Sequence, residues 1–109
     1  MISWADFEKI EMRVGTITSV SDFEKARKPA YQLTIDFGPH GVKKSSAQIT
    51  DLYNKESLVG RQVIAVVNFP PKQIANFVSE CLVLGVYNAQ NEVVLLQPAS
   101  KVDNGDKIG

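Results

Sequence analysis

Hydrophobic and polar positions alternate most clearly between residues 30 and 37. Tyr31, Leu33, Ile35 and Phe37 take one parity, and Gln32, Thr34 and Asp36 the other. Successive side chains of a strand point to opposite faces, so this segment predicts a half-buried strand with one wet face. Before it, residues 13–20 are rich in β-branched side chains and read as a second strand. Gly15 within that run predicts a bulge or a sharp bend. At the N-terminus the period changes: Trp4, Phe7 and Ile10 recur every third residue, the spacing of one face of a short helix. Ser3 is placed to cap that helix, and Asp6 to complete a capping box.

Downstream, Gly38-Pro39-His40-Gly41 predicts a turn leading into a strand over 42–49. Residues 50–58 form a short helical or irregular connection stopped by Gly60. The next segment, 61–69, is nearly all apolar and predicts a strand covered on both faces. Pro70-Pro71 ends it, because proline cannot donate to a ladder. Residues 70–80 then read as a long irregular connection. Strands are expected over 80–87 and 92–97, joined by a hairpin turn at 88–91.

Six predicted strand segments, one more than a five-stranded barrel needs, with a helical interruption after the third, suggest an all-β chain. They fit a five-stranded Greek-key barrel of the oligonucleotide-binding (OB) fold with short N-terminal and inter-strand helices. The pattern by itself also admits an SH3-like barrel or a small sandwich. Residues 1–109 carry no internal repeat or linker-like stretch and read as a single domain.

Composition narrows the function classes. Net charge is zero, which argues against a strong, indiscriminate polyanion binder. The middle of the chain is nonetheless basic: Lys25, Arg27, Lys28, Lys43, Lys44, Lys55, Arg61 and Lys72 face only Asp36, Asp51 and Glu56. The fold can gather these cations on one face or intermix them with acids, and linear order admits both. No apolar run approaches the roughly 20 residues that cross a bilayer, so no membrane insertion is expected. The first residues lack the basic and apolar segments of a signal peptide, and one cysteine cannot form an internal disulfide; the expected location is the cytoplasm.

Reactive chemistry is sparse. His40, the one histidine, sits in a predicted turn, and Cys81 sits in an apolar strand, where a small buried filler is far commoner than a nucleophile. No set of residues has zinc or calcium spacing, and neither a P-loop nor a dinucleotide fingerprint is present. No metal, no cofactor and no catalysis are expected. Three polar stretches can instead bind. They are the basic loop Lys25-Ala26-Arg27-Lys28-Pro29, the strand start Lys43-Lys44-Ser45-Ser46, and the connection over 70–80. Around one groove, their cations would meet phosphates and their hydroxyls and amides would reach sugar or base edges. Phe77 either offers a stacking face there or plugs the end of the barrel, and the plug is the better reading.

An ordered series of segments carries a likeness to a known family. The likeness is carried in order by Arg13-Val14-Gly15-Thr16-Ile17, by Lys25-Ala26-Arg27-Lys28-Pro29-Ala30, by Leu33-Thr34-Ile35-Asp36-Phe37-Gly38 and by Ser45-Ser46-Ala47-Gln48-Ile49. It continues through Val66-Val67-Asn68-Phe69-Pro70-Pro71-Lys72-Gln73-Ile74-Ala75, Ser79-Glu80-Cys81-Leu82-Val83-Leu84-Gly85 and Val94-Leu95-Leu96-Gln97-Pro98. It ends on Asn104-Gly105-Asp106-Lys107-Ile108-Gly109. Through this ordered set the chain resembles the tRNA-binding domain family, and the resemblance implies an OB barrel acting as a homodimer that binds tRNA by shape. It maps tRNA contact to the basic loops and to 79–82, where many members carry Gly-Met in place of Cys81-Leu82.

On that reading Lys25, Arg27, Lys28, Lys43, Lys44 and Lys72 touch phosphate, and Ser45, Asn68, Asn76 and Ser79 add polar contacts. Some free-standing members are described as export-related chaperones that bind unfolded preproteins and interact with the secretion machinery. The resemblance therefore implies a second reading, in which Phe69, Ile74, Phe77 and Leu82 hold extended apolar peptide in a dimer groove. Ile2, Trp4, Phe7 and Ile10 form an apolar stripe that a two-fold related copy would cover; the alternative is a helix packed back onto its own barrel.

Overall fold

The computed structural model describes residues 1–109. Helix α1 (Trp4–Glu8) opens on the predicted capping box: Ser3 Oγ accepts the Asp6 N–H at 3.1 Å, and Asp6 Oδ2 accepts the Ser3 N–H at 3.0 Å. None of its residues is buried. The helix therefore does not plug the barrel, and its apolar stripe faces outward.

Strands β1 (Met12–Asp22), β2 (Tyr31–Asp36), β3 (Val42–Ala47), β4 (Gln62–Val66) and β7 (Leu82–Val83) form one antiparallel sheet in the order β3-β2-β1-β4-β7. The first of these is long enough to bend. Its first half pairs with β4 and its second half with β2, and the register slips between Ile17 and Ser19. The bulge thus falls at Thr18 and not at Gly15. Gly15 is needed for a different reason: a Cβ there would lie 2.6 Å from Ile35 Cγ2 and 2.7 Å from the Phe37 ring. Its missing side chain lets β1 close over the core.

That core is the inward parity of β2 joined by its neighbours. Ile17, Leu33, Ile35, Phe37, Leu58 and Val63 are almost fully excluded from solvent. Leu58 comes from α2 (Lys55–Leu58), which Asn54 caps by accepting the Ser57 N–H at 2.7 Å. Burying side chains of this size contributes roughly 1.5–3 kcal/mol each. In β4, Val63, Ala65 and Val66 are buried and Ile64 is half-buried, so the apolar run is largely covered on both faces.

Two expectations are corrected here. The connection over 70–80 is a hairpin, β5 (Lys72–Ile74) and β6 (Phe77–Ser79), turned at Ala75 and Asn76. Ala75 takes the left-handed region with φ 51°, a place where glycine is the usual signal, so the turn is silent in sequence. The strand expected over 80–87 is also two pieces. Leu82–Val83 belongs to the barrel, whereas β8 (Gly85–Tyr87) pairs with β9 (Val93–Leu95) in a separate ribbon. The joint is Leu84, whose N–H donates to Ile64 of the barrel and whose carbonyl accepts from Leu96 of the ribbon.

Strands β3 and β7 do not share a ladder, and the barrel closes through Glu80 and Cys81. The Glu80 N–H donates to Lys44 O at 2.7 Å, the Lys44 N–H donates to Glu80 Oε1 at 2.9 Å, and Ser45 Oγ donates to Cys81 O at 3.1 Å. The result is an all-β, five-stranded, nearly closed barrel of OB type. No helix is long and apolar enough to cross a membrane.

Candidate nucleic-acid interface

An open groove of about 1400 Å³ runs between the loop joining β1 to β2, the β5–β6 hairpin and the β7–β8 segment. Its rims come from sequence-distant segments that one small cluster fastens together. Phe23 and Phe77 pack with ring centroids 5.5 Å apart and planes tilted by 50°, and Ala30 completes their buried cluster. Phe23 and Ala30 bracket the basic loop, and Phe77 belongs to the hairpin. Such an aromatic pair contributes about 0.5–1.5 kcal/mol beyond the area it buries. The same contact gathers Lys25, Arg27 and Lys28 of the loop and Lys72 of the hairpin along one groove.

All four cations are exposed, and none is in an ion pair; the pairs of the chain are Lys9–Asp6, Arg13–Glu11 and Lys55–Asp22. The basic middle of the sequence therefore divides. Lys55 is held by Asp22 at 2.9 Å, and Arg61 lies over the Tyr53 ring at 5.2 Å, both away from the groove. Among the charged residues lining the groove, Glu80 is the only acid. Between the rims the floor is apolar, with Ile49, Cys81, Val83 and Leu84 at its base and Phe69, Leu82 and Tyr87 exposed along it. Cations above an apolar floor can hold a phosphate backbone and offer its bases a dry surface.

Of the residues expected to contact RNA, Lys25, Arg27, Lys28, Lys72 and Ser79 line this groove. Lys44 is exposed beside it on β3. Asn76 sits exposed at the hairpin turn, outside the groove lining. Lys43 and Ser45 stand opposite Ile35 and Leu33 in the register, which puts both on the inward parity of β3. Ser45 is only 1% exposed, and its hydroxyl is spent on Cys81 O, so it closes the barrel and touches no ligand.

Asn68 is spent as well. Its Oδ1 accepts the Glu11 N–H at 3.0 Å and its Nδ2 donates to Lys9 O at 2.7 Å, tying the end of α1 to the end of β4. Ser79 Oγ accepts the Ser46 N–H and donates to Cys81 O, each at 3.3 Å, so its position on the rim is fixed.

Of the residues expected to hold peptide, Phe69, Ile74 and Leu82 line the groove, and Phe69 and Leu82 are exposed. Phe77 is buried against Phe23, which leaves no face for a base or a peptide. Glu80 lines the groove within the segment 79–82 that the resemblance maps to tRNA contact, and Gln73 lines it within the polar connection over 70–80; Gln48 and Tyr87 line it without having been singled out from sequence. Tyr87, 71% exposed at the end of β8, carried a signal in being a large aromatic at the edge of a predicted hairpin. Gln48 carried none.

Reactive groups do not converge. Cys81 is buried, and that burial pushes its thiol up to about 11, against the opposing effects of the Ser45 hydroxyl and Lys43. No three His, Cys, Asp or Glu side chains are grouped to hold a metal ion.

Comparison with known proteins follows the same line. Residues 12–107 match the family described as "Putative tRNA binding domain". The methionine--tRNA ligase of Methanococcoides burtonii is 30% identical over 108 residues, which are 99% of this chain and 16% of that ligase. The chain thus spans about a sixth of the length of this curated relative. Among solved structures, chaperone CsaA of Bacillus anthracis str. Ames superposes with a TM-score of 0.95 at 52% identity, covering 100% of this chain and 99% of that one. The CsaA chaperone protein of Picrophilus torridus gives 0.94 at 56% identity and covers 100% of both chains.

Proposed function

Because this chain belongs to the tRNA-binding domain family and is of the CsaA type, we propose that it binds tRNA non-catalytically in the groove between the β1–β2 loop and the β5–β6 hairpin. The observation that carries this is the presence of Lys25, Arg27, Lys28 and Lys72, unpaired and exposed, along one groove. Lys44 extends the basic track on β3. A neutral chain that concentrates free cations in one groove attracts a polyanion locally without binding every acidic surface. In the cell this protein is proposed to be a cytoplasmic homodimer that chaperones unfolded preproteins for export and meets the secretion machinery.

A second reading rests on the groove floor. Phe69 and Leu82 are exposed large apolar side chains beside Ile74, a surface suited to an extended apolar segment. In that reading the protein is a holdase-like chaperone without a physiological tRNA role.

Salt separates the two. Fluorescence anisotropy of labelled bulk tRNA at about 50 and 200 mM salt should show affinity falling steeply if phosphate contacts dominate, whereas apolar peptide binding should hold nearly constant. Arg27→Ala with Lys28→Ala should weaken tRNA binding and reduce the log–log salt slope by roughly 1.4–1.8, the effect of losing two phosphate contacts. An unchanged slope removes the loop from the site. Absence of tRNA binding at low salt, with an unfolded peptide bound, favours the holdase.

A further inference from the structure

The only carboxylate lining a groove otherwise charged by Lys25, Arg27, Lys28 and Lys72 is that of Glu80. A free acid in such a place would repel the phosphates that the rims attract, so its presence asks for a gain elsewhere. Its geometry is fixed. The Glu80 N–H and Oε1 bond the carbonyl and the N–H of Lys44, at 2.7 and 2.9 Å, so backbone and carboxylate are clamped to the same residue. Glu80 takes part in no ion pair, and its second oxygen, Oε2, has no protein donor. The side chain is half-buried and held, with one acceptor left over.

What stands on either side matters. Ser79, next in the chain, lies opposite Lys72 in the β5–β6 register, and Lys44 lies across the closure of the barrel. A pure acceptor therefore shares the groove lining with Lys25, Arg27, Lys28 and Lys72. Along a nucleic-acid strand a sugar lies between successive phosphates, and the ribose 2′-hydroxyl is the donor that such a sugar offers. We infer that Glu80 accepts a hydrogen bond from a ribose 2′-hydroxyl and makes the groove select RNA over strands that lack this donor. The inference rests on the tRNA reading of the groove and adds to it the group by which the ligand is told apart. Glu80 is a specificity residue here; the cations supply the affinity.

The test uses a synthetic tRNA in its ribose form and in a 2′-O-methyl form, which keeps the phosphates and removes the donor, with the full chain and its Glu80→Gln variant. A glutamine oxygen can still accept from the Lys44 N–H, and a thermal melt checks that the clamp survives. Hydrogen bonds to charged groups set the scale: the wild type should bind the methylated tRNA roughly tenfold or more weakly, and Glu80→Gln should shrink that penalty. Glu80→Gln should also tighten binding to the methylated strand, because a repelling charge is gone.

An equal methylation penalty in both proteins overturns the inference and leaves Glu80 as a clamp only. If Glu80→Gln melts early, the wild type alone decides, since no penalty there also overturns it. A wild type that binds no ribose tRNA overturns the underlying reading and the inference with it. A variant effect confined to unfolded-peptide affinity, with the RNA ratio unmoved, assigns the carboxylate to peptide N–H groups and overturns the inference.

Discussion

At the scale of single residues, burial decides chemistry that composition leaves open. Cys81 and Ser45 are both small and potentially reactive, and the fold uses both to close β3 onto the segment before β7. The Cys81 thiol holds its proton to about 11, above the 9.0 of the unfolded chain. Its neutral form therefore stabilises the fold fully below about pH 9, and this contribution is lost as pH rises through about 11. Urea unfolding of the wild type and Cys81→Ala at pH 8 and pH 11 should show the wild type losing about 2 kcal/mol more than the variant. Equal losses would mean that the thiol titrates normally. Ser45 teaches the companion lesson: its neighbour Ser46 is chemically identical, and only pairing with Leu33 tells which of the two faces the core.

At the scale of elements, short pieces tie longer ones together. The N-terminal helix makes no buried contact of its own, and Asn68 holds its exit through bonds to Lys9 O and the Glu11 N–H. The same side chain precedes Phe69 and Pro70 on the groove wall. Asn68→Ala should leave tRNA affinity within about twofold while speeding hydrogen exchange at the Glu11 amide, since a lost side-chain bond costs roughly 0.5–1.5 kcal/mol. A large fall in affinity with exchange unchanged would return Asn68 to the ligand site. The long alternating strand β2 was legible because six residues establish a period. The three-residue strands β5 and β6 do not, and the chain between Pro70 and Glu80 reads as loop until pairing is seen.

At the scale of the whole molecule, the surface is unfinished at the N-terminus. Ile2 and Trp4 are 76% and 84% exposed, and Ile10 is exposed as well. Large apolar side chains clustered on a small protein lower free energy when a second surface covers them. Sedimentation velocity should give twice the 12.0 kDa chain mass for the wild type, and Trp4→Glu with Ile10→Glu should return it to the single-chain value. A wild type sedimenting at the single-chain mass would remove the dimer. With net charge zero, the molecule has no global field to steer a polyanion, so its attraction must act at the groove and be screened within about 10 Å in ordinary salt.

The strands as far as β4, the β2 alternation, the helix cap and the basic loop follow from sequence, because each is set by neighbours a few residues apart. The barrel and family likeness were readable for the same reason, as an ordered series of local segments. What sequence could not determine is which of those segments meet. The bulge at Thr18 and the split at Leu84 depend on curvature imposed by partners far along the chain. So does the gathering of Lys72 with the loop of Lys25, Arg27 and Lys28, which the Phe23–Phe77 contact brings about. Asn68 and Ser45 left the candidate site, and the Glu80 carboxylate was fixed within it, by hydrogen bonds that span tens of residues. A polar side chain in a sequence carries its donors and acceptors but not its partners, and only the folded chain shows which of them remain free for a ligand.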